Sequence, residues 1–159
     1  MAMMLFFALV VTLEGVSPGH AGALAAIFAE HRRENSGEPY VRAKAISDLN
    51  DDGIVDAVIV FAYKMGPSRN HTHTEYLSIV MSTPSGYVAS WPIIVGSRGF
   101  RHIREIEIVG TEITLRGDFT VSDETASMAT LPANGEIHFS FVDGKLREQG
   151  GYWTRKPDQ

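Results

Sequence analysis

Residues 48–56 read Asp-Leu-Asn-Asp-Asp-Gly-Ile-Val-Asp, with oxygen-bearing side chains at alternate positions ahead of a glycine. That spacing suits a hard cation. Asp48, Asn50 and Asp52 converge on one ion when Gly53 takes the sharp turn, the Ile54 carbonyl faces inward, and Asp56 closes the shell directly or through water. A donor set made of oxygen alone makes calcium (Ca2+) the expected ion. A solvated turn would use the same residue types, because Asp and Asn bond their own backbone and tolerate left-handed conformations. The negative charge of Asp48, Asp51, Asp52 and Asp56, crowded into so short a stretch, favours the cation.

The loop is not an EF-hand. That motif needs a bidentate Glu at its twelfth position and a helix on either side. Here the twelfth position is Ile59, and residues 57–63 form an apolar, β-branched run that predicts a buried strand. Without the Glu clamp the site should be weak, at about 10⁻⁴ to 10⁻³ M, which suits a calcium-rich extracytoplasmic compartment.

A D-x-N-x-D-G-x-x-D loop running into a hydrophobic strand resembles the calcium loops of FG-GAP and VCBS-like bacterial repeats, over residues 48–60. Propellers repeat such a loop, whereas here it occurs once, so a complete propeller is not expected. Taken with Gly117-Asp118 and the Val-Asp-Gly-Lys-Leu run of residues 142–146, the chain looks like small bacterial periplasmic β-domains. Some calcium-binding proteins of that kind resemble periplasmic lysozyme inhibitors or immunity proteins against peptidoglycan hydrolases. Those inhibitors carry a Ser-Gly-aromatic loop, and Ser85-Gly86-Tyr87 is the matching tripeptide, although it also makes an ordinary hairpin turn. The resemblance implies a protein partner, a cell-wall hydrolase among the candidates.

A second constellation is His71-Thr72-His73-Thr74-Glu75, in which two imidazoles and a carboxylate alternate. Two His and one carboxylate would serve zinc or non-haem iron, and hence a metal-dependent hydrolase. On one extended strand, residues two apart are separated by about 7 Å, so joint chelation needs a bulge or ligands from a neighbouring strand. The competing reading is a polar strand entry, with Leu77, Ile79 and Met81 continuing the same face into a core.

Other candidates have plainer explanations. Glu105 and Glu107 alternate with Ile106 and Ile108 as the solvated face of a strand, and Asp118, Asp123 and Glu124 belong in or beside a loop. The tripeptide Arg116-Gly117-Asp118 reads as a strand end with a glycine turn rather than as an adhesion motif. Tyr87, Trp91, Tyr152 and Trp153 are candidate contact residues, with packing as the alternative. No G-x-S-x-G elbow, H-E-x-x-H helix or phosphate-binding glycine loop is present, so no catalytic residue is assigned.

The elements that must position these groups follow from periodicity. Leu24, Ile27, Phe28 and His31 fall at helical spacing, predicting a short helix over residues 23–34 that ends before Gly37 and Pro39. From Tyr40 onward the period is two. Strands are expected over 40–47, 54–64, 74–82, 87–95, 101–109, 112–116, 136–142 and 145–148, with a loop over 66–70 and a polar connection over 122–132. Ser85-Gly86, Gly110-Thr111, Asn134-Gly135 and Asp143-Gly144 supply short-turn chemistry, and Pro92 marks an edge or bulge. The expected fold is therefore mainly β: an antiparallel meander, as a sandwich or partly open barrel, with one short N-terminal helix.

The 159 residues carry 14 basic and 19 acidic side chains, a net charge of -5, which does not make a nucleic-acid footprint. Residues 3–13 are apolar but too short to span a bilayer comfortably, and Ala21-Gly22-Ala23 follows; this predicts a signal peptide over residues 1–23 and a single calcium-binding domain over 24–159. No Lys or Arg precedes the apolar block, so a buried N-terminal helix is the alternative. Removal of residues 1–23 deletes Glu14 and gives -5 + 1 = -4. The absence of cysteine means that the core must hold without disulfides, and the chain is long enough for that. The expected protein is an exported, periplasmic or secreted, non-catalytic domain.

Overall fold

The computed structural model describes residues 18–31, 37–64, 74–97, 101–122 and 130–155. A helix, α1 (Pro18–His31), precedes β1 (Glu38–Ser47), β2 (Asp56–Lys64), β3 (Thr74–Thr83), β4 (Gly86–Ala89), β5 (Ile93–Ser97), β6 (Arg101–Val109), β7 (Glu112–Ser122), β8 (Thr130–Val142) and β9 (Lys145–Arg155). The strands hydrogen-bond in the order β1-β2-β3-β5-β6-β7-β8-β9, with β4 on β3, and every pairing is antiparallel. The sheet curls until β1 lies alongside β6 without pairing to it, leaving the barrel open. Mainly β architecture with one helix is what the period-two pattern predicts.

β2 sets the layering, because it is buried on both faces. Val58 and Val60 face the main core with Leu77, Ile79, Ile103 and Ile137. Ala57, Ile59, Phe61 and Tyr63 face the other way, where Leu24, Ile27 and Phe28 of α1 cover them. Complete burial of residues 57–62 explains an apolar run without alternation. The helix begins earlier than its apolar spacing indicates, since Pro18 fits a first helical turn and Gly19 and His20 then reach β4 and β3.

The expected strand 87–95 is two strands, both on β3. β4 pairs with residues 80–83 and β5 with residues 74–77. Between them Ser90 bonds β3 through both its backbone and its hydroxyl, and Pro92 is buried in the gap. Proline thus breaks the ladder as its missing N–H requires.

The larger correction concerns residues 112–155. β7 and β8 stay paired from Glu112↔Ser140 to Ser122↔Thr130, so Ser122 and residues 130–132 of the expected connection 122–132 are strand, while 123–129 lie outside the described residues. Pro132 stands opposite Thr120 in this ladder, and among the described residues β9 joins β8 from Ala133 onward. Asn134-Gly135 is no turn. Gly135 pairs with Gly117 in mid-sheet, and a Cβ there would stand 2.1 Å from the ring of Phe119. Glycine is required by an aromatic side chain, not by chain reversal. The Arg116-Gly117-Asp118 tripeptide is likewise mid-strand. By contrast, Asp143-Gly144 is a true two-residue turn, with both residues at positive φ (52° and 72°).

At Gly117 a Cβ would lie 2.0 Å from the backbone carbonyl oxygen of His102, which cannot rotate away. Gly117→Ala should therefore cost about 3 kcal/mol of stability, at the upper end of overpacking effects. Urea unfolding measures this, and a variant as stable as the parent would contradict the packing.

Candidate functional site

Three of the five loop residues converge. Asp48 accepts from the backbone N–H of Asp52 (3.2 Å) and of Gly53 (2.7 Å), Asn50 Oδ1 accepts from Asp52 N–H (3.2 Å), and Asp52 Oδ1 accepts from Ile54 N–H (2.8 Å). Asn50 Nδ2 also donates to Asp52 Oδ2 at 2.9 Å. Positive φ at Asp51 (56°) and Gly53 (81°) turns the chain tightly enough to bring these oxygens together. Residues 50–53 are exposed and Asp48 and Ile54 half-buried, whereas Leu49 is 1% exposed and belongs to the main core.

Asp56 sits apart from that cluster. It is fully buried, its Oδ2 accepts from Leu49 N–H (3.0 Å), and its Oδ1 accepts from Ser82 N–H (2.8 Å). One carboxylate thus ties the loop, the head of β2 and the end of β3 together. A carboxylate oxygen has a second lone pair, so this anchoring leaves capacity for a further donor. Ile54 stands at the turn exit beside these groups. The oxygen-only donor set fits calcium chemically. Among the described residues, no group of three or more His, Cys, Asp or Glu side chains forms a ready metal site.

Ser82 extends the connection to the helix. Its hydroxyl donates to the Val55 carbonyl (2.7 Å), so the 2.7 Å contact with His20 requires His20 Nε2 to be the donor. A serine hydrogen-bonded to an imidazole invites a nucleophile reading. The proton direction and the burial of both side chains (4% and 3% exposed) make it a latch instead. At the other end of α1, His31 Nδ1 lies 2.9 Å from the Tyr63 hydroxyl, among the rings of Phe61, Tyr76 and Trp91. A cut after Ala23 would keep this second latch and remove the first.

His71 and His73 lie outside the described residues, and Glu75 is not exposed. Its side chain is fully buried, with Oε2 accepting from Ile103 N–H (2.7 Å) and Oε1 placed 3.0 Å from His102 Nδ1 and 3.5 Å from Arg42 Nε. A metal on Glu75 would compete with all three. The apolar face of Leu77, Ile79 and Met81 already places Glu75 inward; Arg42 and His102 carry no such signal, because only the curl of the sheet brings β1 and β6 together.

The remaining candidates separate by face. Glu107 and Glu136 clamp Arg116 on the outer side of β6, β7 and β8 at 2.5 and 2.6 Å, and the hydrogen bond that Arg116 donates to Glu136, then that to Glu107, raises the guanidinium pKa above its ordinary range. Asp118 pairs with Arg104 at 3.1 Å, Glu105 is exposed, and Asp123 and Glu124 lie outside the described residues. Tyr87 and Trp91 are 44% and 52% exposed; Ser85 lies in the β3–β4 turn and Tyr87 covers Gly19. No family model, curated protein or solved structure matches the chain.

Asp56→Ala leaves two buried amides without acceptors, each worth about 1–3 kcal/mol. The loss should reach about 3 kcal/mol by chemical unfolding even in chelator, and a change under about 0.5 kcal/mol, the range of ordinary surface substitutions, would show that Asp56 is not the anchor.

Proposed function

We propose that the 48–56 loop binds calcium and that the chain is an exported, non-catalytic β-domain that presents a surface to a macromolecular partner. The observation that carries this reading is the convergence of Asp48, Asn50 and Asp52 around the turn at Gly53. The likeness of the segment to FG-GAP and VCBS-like loops supports the same ion. Calcium would replace amide contacts as the focus of those oxygens and hold the entrance to β2. Because Asp56 is bonded to Ser82, order in the loop would extend to the end of β3 and its hairpin. Export agrees with the weak affinity expected of a loop without a Glu clamp.

Exposed Tyr87, Trp91 and Ile94 supply contact residues for a partner on β4, β5 and their connection. A peptidoglycan hydrolase is the specific partner to test, through the Ser85-Gly86-Tyr87 turn. Inhibition or capture of lysozyme-type enzymes would support that version, and neither occurring would remove it.

Calorimetric titration of chelator-treated protein should show one calcium site at about 10⁻⁴ to 10⁻³ M. At ten times the dissociation constant, calcium should add about 1.4 kcal/mol to stability, visible as a raised melting temperature. The Asp48→Ala, Asp52→Ala double variant should lose both effects. Retention of parental affinity in that variant would dismiss the loop as the site.

A further inference from the structure

We propose that Arg42, oriented by His102 and the buried Glu75, is a binding site for a single anionic oxygen group, either a carboxylate or a phosphate. Three interruptions of strand register meet there. In β1 the pairing with β2 shifts between Val41 and Ala43, so Arg42 is the extra residue. β3 shifts against β5 between Glu75 and Tyr76, and β6 shifts against β7 between Ile103 and Glu105. A bulge re-aims a side chain at the expense of ladder hydrogen bonds, and such features gather beside functional sites. Here three of them place a carboxylate, an imidazole and a guanidinium together at the margin of an apolar core.

The cluster is organised from inside outward. Glu75 is fully buried, and a Cβ on Gly96 would come within 3.0 Å of its Oε2 and 2.8 Å of the Arg101 carbonyl oxygen, so the close packing of β5 seats the carboxylate. An ionised carboxylate only accepts hydrogen bonds. His102 Nδ1 stands 3.0 Å from Glu75 Oε1 and 3.0 Å from Arg42 Nη2, which also contacts Nε2, so the imidazole lies between the carboxylate and the guanidinium. Arg42 is held further by Glu75 at 3.5 Å and by the Tyr40 ring, 5.9 Å from its guanidinium carbon.

This restraint leaves donor capacity unused. A guanidinium has five N–H donors in a planar fork; Arg42 Nε is buried and faces Glu75, and Nη2 serves His102, which leaves the outer N–H groups of Nη1 and Nη2 for a further acceptor. The side chains of Arg42 and His102 are 22% and 36% exposed, so the cluster opens to solvent at that edge. A fork fixed in this way matches a carboxylate or phosphate through two parallel hydrogen bonds, and its prior immobilisation lowers the entropy lost on binding. His102 and Glu75 are positioning residues in this arrangement. This site is separate from the calcium loop.

The test uses the full chain, titrated separately with inorganic phosphate, acetate and, for ionic strength, sodium chloride. NMR follows the Arg Nε–H and His ring resonances. Saturable shifts at Arg42 and His102 with phosphate or with acetate are expected, and the anion that saturates identifies the class. Arg42→Lys, which keeps charge but loses the fork, should bind at least tenfold more weakly, whereas Arg104→Gln on the outer face should bind as the parent does. The proposal is overturned if chloride produces the same shifts, if neither anion saturates in the parent protein, or if Arg42→Lys retains parental affinity. The parent titration decides the matter even where a variant fails to fold.

Discussion

Complete burial of β2 is the constraint on which the rest of the structure depends. A strand that hides Val58 and Val60 on one face and Ile59, Phe61 and Tyr63 on the other must have a layer on each side. The curled sheet supplies one layer and α1 the other. Asp56 begins this strand, and a fully buried carboxylate is tolerable because its two oxygens accept the N–H groups of Leu49 and Ser82. The loop before β2 is thus fixed to the core at Leu49 and to β3 at Ser82, while Asp48, Asn50 and Asp52 remain at the surface. A local motif has been built onto the most deeply packed strand of the molecule.

Two kinds of buried polarity divide the labour. At the helix layer, His20 with Ser82 and His31 with Tyr63 satisfy polar groups that an amphipathic helix would otherwise leave unsatisfied against an apolar sheet. These contacts favour one placement of α1 over a sliding one. Along β1, β3 and β6, the cluster of Arg42, Glu75 and His102 sits where strand register fails three times. Replacing regular pairing with a charged group in the interior costs stability, so its presence invites a functional account. The outer face of β6, β7 and β8 is different: Arg116 between Glu107 and Glu136 is an exposed cross-strand network, where solvent screens the charges.

The residues differ in how much of this could be read in advance. The turn at Gly53, the buried strand behind it and the Asp143-Gly144 turn were legible, because each rests on neighbours in sequence. The strand assigned to residues 101–109 matches β6, whose alternation survives its bulge. Asn134-Gly135 misled, since the same dipeptide serves a tight turn or makes room for a neighbouring ring. Residues 130–132 looked like part of a connection because β-pairing depends on a partner strand as much as on composition.

By itself, then, the sequence determined a mainly β chain with one helix and an oxygen-rich loop at residues 48–56, because periodicity and local spacing act over a few residues. Tertiary structure alone decided that Asp56 serves Leu49 and Ser82, that His20 donates to Ser82, and that Arg42 and His102 meet at Glu75. These partners are far apart along the chain. Their meeting depends on the order and curl of the strands, which are set by the requirement to bury both faces of β2.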